Sequence, residues 1–296
     1  MFRRLITYGE ESSYGVPASN PNRLLGWVTG FSGGVELAYE TVGVMDGSRK
    51  KRTIVYGVDI SPSITFLPTG GQFFKYALGS VTDSGTSPPY THEITITPSH
   101  RLPSTTIVEH RIGEATHGFR YVGCVVESLE ASWERDGPLE CSVDLASLRV
   151  EQVGSLPEPA GEAESPYRAE MATVTINGTQ YGYATSGSIS ITNNHTPLPR
   201  GADGFTTGHI ANTTDIEATI TLHYMDPSLV NLMLNRQRFD VTAKFTRGAS
   251  DTLEFQLLGC VASVEAPLSA EEEPIQELSL RAENLRIVAV DSTPAY

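Results

Sequence analysis

Apolar and polar residues alternate along residues 53–66 in the pattern of a β-strand with one buried face. The apolar residues at even positions are Ile54, Tyr56, Val58, Ile60, Ile64 and Phe66, and Pro62 interrupts them. Because successive side chains of a strand point to opposite faces of its sheet, this period of two predicts a strand with one wet face. Proline has no N–H to donate to a neighbouring strand, so we expect an edge or a β-bulge at Pro62.

The second half of the chain repeats this pattern, and each half follows it with a helical segment. The apolar positions of the second half are Ile210, Ile216, Ala218, Ile220 and Leu222. Residues 70–79 and 226–235 predict short helices, since Gly79 and Asn235 are residue types typical of a helix end. Each half closes with a pair of long predicted strands, at residues 119–133 and 143–150 and at residues 253–268 and 278–290.

Three segments of the first half return in the second half in the same order, which indicates a duplicated domain. The matching pairs are 33–37 with 187–191, 59–66 with 215–222, and 123–131 with 259–266. The last match needs a one-residue gap, and an uncompensated gap would turn every later side chain to the wrong face of the sheet. We therefore expect a β-bulge in the first copy near Val125 and Val126.

The fold class that follows is mainly β, with two tandem duplicated β-sandwich or partial-barrel modules, each with one short flanking α-helix. We divide the chain into an N-terminal arm (1–20), a first module (21–150) with an insertion (80–118), a linker (151–167) and a second module (168–296). The linker contains three prolines and four glutamates, so we expect an exposed tether. The insertion looks like an added extended arm.

Composition narrows the class of protein. The 296 residues suffice for two domains, and 27 glycines with 18 prolines fit many turns between short strands. We expect no membrane partner and no secretory signal, because no apolar run of either kind is present. The net charge of −14 is uneven: residues 1–150 carry 13 basic and 16 acidic residues, and residues 151–296 carry 8 and 19. This sign opposes a grip on DNA phosphates.

The sequence offers little that resembles a catalytic or metal site. Cys124, Cys141 and Cys260 are expected to be buried free thiols, with Cys124 and Cys260 in separate cores. The seven histidines are scattered without ligand spacing, so we expect surface or interface histidines and no metal or other cofactor. Without a paired acid and base at any motif spacing, we expect no enzyme.

The one basic run, Arg49-Lys50-Lys51-Arg52, is placed on a turn between two strands of the first module. It has three interpretations: a solvated hairpin tip, docking against an acidic patch of a neighbouring subunit such as Glu271-Glu272-Glu273, or contact with DNA. The first two rank equally, and the overall negative charge places DNA contact third. We count both runs as candidate inter-subunit contacts, together with Pro88, Pro89 and Tyr90 of the insertion.

Several motifs in order resemble the tail tube proteins (major tail proteins) of long-tailed, siphovirus-like bacterial and archaeal viruses. They are the opening segment Glu10-Glu11-Ser12-Ser13-Tyr14-Gly15-Val16-Pro17-Ala18, the insertion segments 91–98 and 102–107, and residues 118–131, which end in Gly-Cys-x-x-x-Ser-Leu-Glu-Ala. The resemblance spans most of the first copy and, through the duplication, the second. The acidic second copy and the proline-rich linker depart from the family pattern.

The resemblance implies a virion structural protein of the tail, assembled in the host cytoplasm. It implies that modules stand side by side with their strands forming the wall of a lumen, and that a two-module chain makes trimeric rings with pseudo-sixfold symmetry. The rings stack into a tube through which double-stranded DNA passes non-specifically during ejection. Implied partners are the chain itself and the terminator, tail-tip and tape-measure proteins. Neither a catalytic residue nor a cofactor is implied.

Two alternatives stay open: a tail-tip or adaptor ring, and a two-module carbohydrate-binding β-sandwich protein. For ring stacking we expect contacts from residues 1–20, 80–118 and 193–209. Deletion of residues 88–104 is expected to permit folding but to prevent long tubes. We also expect net negative charge on the side chains that face the lumen.

Overall fold

The computed structural model describes residues 3–43, 51–112, 117–160, 164–181, 184–223, 231–232, 234–265 and 275–296, and they are mainly β-strand. The strands of the first half are β1 Arg3–Glu10, β2 Gly26–Ser32, β3 Val35–Gly43, β4 Lys51–Ile60, β5 Ser63–Pro68, β6 Gly79–Ser84, β7 Tyr90–Ile96, β8 Thr105–Ile112, β9 His117–Glu134, β10 Leu139–Ala146 and β11 Arg149–Val153. Those of the second half are β12 Ala172–Ile176, β13 Thr179–Tyr181, β14 Ala184–Thr192, β15 Thr196–Pro197, β16 His209–Ile210, β17 Asp215–His223, β18 Phe239–Gly248, β19 Asp251–Glu265, β20 Ile275–Ala282 and β21 Asn284–Asp291.

The first predicted helix is confirmed. A 3₁₀ turn at Gln72–Phe74 leads into α1, Lys75–Leu78, which ends at Gly79 in the left-handed conformation (φ 96°). A further 3₁₀ turn covers Ala169–Met171. Of the second predicted helix, residues 231, 232 and 234 are helical, and most of its other residues lie outside the described part of the chain.

One antiparallel sheet runs through both halves of the chain. In the described residues its strand order is β2-β5-β10-β9-β14-β17-β20-β19. We call it the continuous sheet. Its buried face packs against two outer sheets. The first is ordered β1-β8-β9-β11 and comes from the first half. The second is ordered β13-β12-β18-β19-β21-β7-β6 and consists of second-half strands with β7 and β6 of the first half added at one edge. The prediction of a mainly β, sandwich-like fold is confirmed.

The long strands β9 and β19 each belong to two sheets, and each changes sheet just after a glycine. Gly123 (φ 70°) and Gly259 (φ 65°) adopt the left-handed conformation that glycine tolerates best. A carboxylate accepts a hydrogen bond from each glycine N–H: Glu11 at 2.8 Å from Gly123, and Asp240 at 2.9 Å from Gly259. The two halves therefore make the same turn by the same means.

The bulge expected near Val125 and Val126 lies one residue further on, at Glu127. Asp144 pairs with Ser128, and the next residue pairs with Val126, so Glu127 is left out of the β9–β10 ladder. The matching β19–β20 ladder runs without a break. The extra residue of the first half is thus absorbed without turning the strand over.

The match of the segments that begin at Gly33 and Gly187 is two residues out of step with the structure. Phe31 lies opposite Ile64 in the first half, whereas Gly187 lies opposite Ile220 in the second. Because Ile64 and Ile220 are matched, Gly187 corresponds to Phe31. A shift of two preserves the face of every side chain, so the alternation pattern alone does not reveal it.

Residues 53–66 form strands with an interruption at Pro62 as predicted, but the predicted buried face is wrong for the first half. The chain breaks around Pro62, which separates β4 from β5. β5 buries Ile64 and Phe66 as expected, but β4 pairs only with β3 among the described strands and leaves Ile54 and Tyr56 more than half exposed. Alternation shows that one face is apolar, and it does not show whether a second layer covers that face.

The insertion differs from the expected free arm. Its first part forms the hairpin β6–β7, and β7 pairs with β21 of the second half. Its last part is β8, which pairs with β1 and β9 inside the first outer sheet. The expectation about deletion of residues 88–104 stays a prediction, but the full burial of His92 and Ile94 in β7 now leads us to expect that the deletion impairs folding.

The predicted arm and linker are both packed in part. β1 lies in the first outer sheet, and the Glu11 carboxylate holds the residues after it by accepting hydrogen bonds from Gly15 N and from the hydroxyls of Ser104 and Thr106. In the linker, residues 151–153 complete β11, and Tyr167 is buried. The division of the chain into arm, modules and linker stays a prediction.

The cysteines are buried free thiols as expected, but the expectation of separate cores for Cys124 and Cys260 is wrong, because both belong to one connected hydrophobic core. Cys124, Cys141 and Cys260 are free and buried, and burial raises the pKa of Cys124 and of Cys260 to about 12. None of the helices in the described part of the chain has the length and apolar character that a membrane-spanning segment needs.

The turn at Gly123 generates a stability prediction. A Cβ there would lie 2.6 Å from Leu148 Cγ, in addition to the strain of the left-handed backbone. We expect Gly123→Ala to lower the free energy of unfolding by about 3 kcal/mol. Gly178, with φ 81° and no atom near its would-be Cβ, is the matched control, and Gly178→Ala should cost about 1 kcal/mol. Equal costs in chemical denaturation would contradict the proposed role of the close packing.

Candidate assembly surfaces

The two halves of the chain are joined by a strand ladder within the continuous sheet. The second part of β9 pairs with β14 over seven residue pairs, from Ser128 opposite Thr192 to Glu134 opposite Ser186. Each strand also has a partner from its own half, β10 for β9 and β17 for β14. We call this junction the intrachain seam, and it shows how one half of this chain binds another.

A buried asparagine fastens the intrachain seam. The side-chain amide of Asn193 donates to the carbonyl oxygens of Ala77 and Val126, at 3.0 Å each, and its backbone N–H donates to Glu127. Its Oδ1 accepts a hydrogen bond from the Thr214 hydroxyl. These bonds tie the start of a second-half loop to α1 and to the bulge of the first half.

Aromatic side chains of the first half enter the core of the second. Trp133 at the end of β9 lies edge-on to Phe245, with ring centroids 5.4 Å apart, and Phe74 lies edge-on to Phe255 at 5.4 Å. A Cβ at Gly187 would collide with the Trp133 ring, so glycine makes room for it. The intrachain seam therefore shares a hydrophobic core and is more than a strand contact.

The hairpin β6–β7 braces the seam on the outside. Six residue pairs join β7 to β21, and the buried His92 lies between Asp83 at 2.6 Å and Asp291 at 3.4 Å. The ring of Tyr296 stacks on His92 with centroids 3.7 Å apart. Glu93 and Arg286 add an ion pair across the same strands.

The continuous sheet ends in two open edges. β2 pairs only with β5, and the second part of β19 pairs only with β20, among the described strands. A cavity of about 530 Å³ borders β2 and is lined by Arg4, Ile6, Phe31 and other residues. Trp27 and Val261, about half exposed, are apolar side chains at the two edges. Unpaired strand edges of this kind readily pair with another chain.

The outward face of the continuous sheet is rich in carboxylates and hydroxyls. Its exposed carboxylates in the described residues are Glu130, Glu134, Glu140, Asp144, Asp215, Glu217 and Glu277. Ser186, Ser188, Ser190 and Thr192 line the whole outward side of β14. Arg281, an exposed base on this face, pairs with Glu217. We call this surface the acidic face.

A two-stranded hairpin, β3–β4, carries apolar side chains that nothing in the described chain covers. Leu37 and Tyr39 are 61% and 60% exposed, and Val35 and Val55 are also more than half exposed. Register pairs place Val35, Leu37 and Tyr39 on one face of the hairpin. Its base is fastened by Arg200, which donates to the carbonyl of Val58 and pairs with Asp59.

The predicted contact residues fall at separate places. Lys51 and Arg52 begin β4 and are exposed, while Pro88 and Pro89 lie exposed in the turn before Tyr90 at the start of β7. Arg49, Lys50, Glu271, Glu272 and Glu273 lie outside the described residues. The structure brings none of the described members together, and their role as inter-subunit contacts stays a prediction.

The described residues contain no group of three or more His, Cys, Asp or Glu side chains arranged to hold a metal ion. The histidine with the clearest environment besides His92 is His209, whose ring accepts or donates a hydrogen bond at 2.9 Å with Tyr14. Burial lowers the pKa of His209 to about 4, so it is neutral at ordinary pH. These histidines serve packing between segments.

Sequence reasoning missed the intrachain seam and the pairing of the β6–β7 hairpin with β21. The clearest available signal was the run of alternating serines in β14, since a strand with small hydroxyls on one face and Ile189 and Ile191 on the other fits a central strand of a half-wet sheet. Strand partners far apart in sequence leave no local pattern.

A family model described as phage tail tube protein matches residues 1–283 of the chain. No curated protein matches the chain.

The buried amide at the seam generates a second prediction. We expect Asn193→Ala to lower the free energy of unfolding by about 3 kcal/mol, because two carbonyl groups each lose a buried amide donor and the Thr214 hydroxyl loses its acceptor. One of these carbonyls, that of Val126, keeps its bond with the His195 ring. Asn212→Ala also removes two side-chain hydrogen bonds, but at an exposed site, and should cost less than about 1 kcal/mol. Thermal or denaturant unfolding of both variants would measure this, and equal costs would contradict the assignment of Asn193 as a seam fastener.

Proposed function

The chain belongs to the phage tail tube protein family and is a structural protein of the virion tail, and we propose that three copies close into a ring with pseudo-sixfold symmetry. Rings of this kind stack into the tail tube, and double-stranded DNA passes through the lumen without sequence-specific contact. The main support for the proposal is the intrachain seam, because it provides the strand pairing by which one half can join the next.

Repetition of that seam between chains supports ring closure. The free edge of β19 corresponds to the part of β9 that pairs with β14, since both follow a left-handed glycine and their partner strands, β20 and β10, hold matching positions in the two halves. The free edge of β2 corresponds to the edge of β14 that pairs with β9, since β2 and β14 have matching partners, β5 and β17, on their other sides. A β19 edge of one chain therefore meets the β2 edge of the next.

Such a contact is heterologous, because two different surfaces meet, and heterologous contacts form closed rings when the rotation permits. Three chains with two halves each give six wall units. Closure also removes both open edges, which would otherwise promote uncontrolled association. This supports a ring as the assembled form.

We propose that the acidic face lines the lumen. Its described carboxylates outnumber its bases, so passing phosphates are repelled and the wall gives DNA no specific contact. The hydroxyls of β14 keep the surface hydrated without adding positive charge. The buried apolar side chains of the continuous sheet face the outer sheets, whereas Trp27 and Val261 lie half-exposed on the outward side at its two edges.

For stacking, we propose that the apolar face of the β3–β4 hairpin docks on a subunit of the adjacent ring, with the basic run at its tip, Arg49 to Arg52, meeting acidic residues such as Glu271 to Glu273. Residues 1–20, Pro88 to Tyr90 and the loop 193–209 remain candidate contacts between rings. Terminator, tail-tip and tape-measure proteins are the proposed partners at the tube ends and in its lumen, and assembly takes place in the host cytoplasm.

We propose no catalytic activity and no cofactor. A tail-tip or adaptor ring remains the alternative within the same structural class, and it differs in one observable, since an adaptor forms single rings that do not stack. A carbohydrate-binding function requires exposed aromatics on one face, whereas Trp27 and Tyr39 lie on separate sheets.

Assembly itself is the first test. Concentrated pure protein should form hollow rings or rods in negative-stain electron microscopy, and native mass spectrometry of a single ring should give three chains. Single rings at every concentration would favour the adaptor, and a monomer at all concentrations would refute the tube.

The second test concerns the lumen. Tubes of a Glu130→Lys/Glu140→Lys variant, assembled with a short labelled DNA duplex, should retain the duplex on sedimentation, because the wall then attracts phosphates. The matched control Glu158→Lys/Glu170→Lys changes the net charge equally at exposed positions away from the acidic face. Retention by both variants, or by neither, would contradict the placement of the acidic face in the lumen.

A further inference from the structure

The two halves of the chain differ where each would receive its neighbour. In the second half, Ala243, Phe245 and Phe255 form the socket that receives Trp133 and Phe74 of the first half. We call it the aromatic socket. It is buried and apolar throughout.

Strand register identifies the same positions in the first half. Phe255 lies opposite Ala243, and Phe119 lies opposite Glu109 at the equivalent place. Two pairs further along, Arg111 takes the place of Phe245. Both ladders carry the same irregularity two pairs earlier, which fixes the correspondence.

The first-half positions are charged. The carboxylate of Glu109 is 1% exposed and accepts two hydrogen bonds from Arg111, at 2.9 and 3.0 Å, while Arg4 Nε lies 3.6 Å away. The Arg111 guanidinium also lies over the Phe119 ring, 4.7 Å from its centroid. We call Glu109, Arg111 and Arg4 the ionic socket. Burial of a carboxylate is tolerated only with such pairing.

The ionic socket faces outward and lies beside an open space. The side chains of Arg111 and Arg4 are 40% and 63% exposed, although Glu109 beneath them is buried. Arg4 also lines the cavity of about 530 Å³ along β2, together with Phe31. Phe31 corresponds to Gly187, against which Trp133 packs, so this cavity occupies the place that the neighbouring half fills at the intrachain seam.

We infer that the ionic socket is the docking surface for the second half of another copy of this chain. The inference rests on the proposed ring and specifies its contact between chains. Charge complementarity supports this occupant: residues 151–296 carry 19 acidic and 8 basic residues, whereas the socket offers two arginines that point outward. A guanidinium has five N–H donors, so Arg111 retains donors beyond the two bound to Glu109.

The inference has a consequence for assembly. At the intrachain seam the receiving socket is aromatic, so its contribution depends little on salt, whereas the proposed contact at the ionic socket depends on charge and is weakened by salt. The difference also gives specificity, because the first half of one chain, with its smaller excess of acidic residues, complements the ionic socket of another less well than the second half does. Head-to-tail closure is thereby favoured over other pairings.

The test replaces the ionic socket by the residues of the aromatic socket. Glu109→Ala/Arg111→Phe removes both charges of the buried pair at once and copies a combination that the second half already accommodates around Phe255. We expect a folded monomer by circular dichroism. At about 50 mM NaCl, we expect the critical concentration for ring formation to be about tenfold higher for the variant than for the wild type. At about 500 mM the two values should be similar, because salt raises the wild-type value.

Two further variants keep the outcome decisive. Arg4→Met leaves the Glu109–Arg111 pair intact and should raise the critical concentration by a smaller factor, which serves if the double variant does not fold. Arg168→Phe/Glu170→Ala removes an exposed ion pair elsewhere and should assemble as wild type. If the socket variants assemble with the critical concentration and salt dependence of the wild type, the inference is overturned but the proposed ring is not. If wild-type protein forms no ring, both are overturned.

Discussion

The structure depends on the antiparallel ladder between β9 and β14, which joins the two halves of the chain into one sheet. β9 makes this possible because it leaves the first outer sheet at Gly123 and continues into the continuous sheet, where one side pairs with its own half and the other with the second half. The ladder brings Trp133 into the core of the second half, and it places Asn193 where its amide reaches two first-half carbonyls. A self-contained domain would have no strand available for this role.

The same geometry leaves the two edge strands of the continuous sheet with backbone groups that have no partner strand in the described chain. β19 repeats the path of β9, yet it reaches the end of the sheet without a further partner in the described chain, and β2 does the same at the opposite end. The chain belongs to the phage tail tube protein family, and in the proposed ring these edges pair with those of neighbouring chains. Among the described residues, the asymmetry between the halves lies outside the continuous sheet, where the β6–β7 hairpin, the projecting β3–β4 hairpin and the ionic socket belong to the first half. The proposed pseudo-sixfold wall would therefore have threefold surroundings.

Local features of the fold could be predicted from the sequence, and long-range ones could not. Gly79 marks the end of α1, and the one-residue gap after Cys124 marks the bulge at Glu127, because both act through backbone geometry within a few residues. The pairing of β7 with β21 joins residues almost two hundred positions apart and has no local signature. Tyr56 and Tyr39 alternate like core residues but are exposed, since alternation does not report whether another layer covers them. Glu109 and Arg111 carry no distinctive sequence pattern, and only strand register shows that they take the positions of Ala243 and Phe245 in the aromatic socket.

Hydrogen exchange measured before and after assembly tests the central claim most directly. The account predicts that backbone amides of β9 and β14 at the intrachain seam are protected in the monomer already. The amides of β2 and of Val261 to Glu265 in β19 that point away from β5 and β20 become protected only in assembled rings. Assembly that leaves both outer edges exchanging as fast as in the monomer would contradict closure of the sheet between chains.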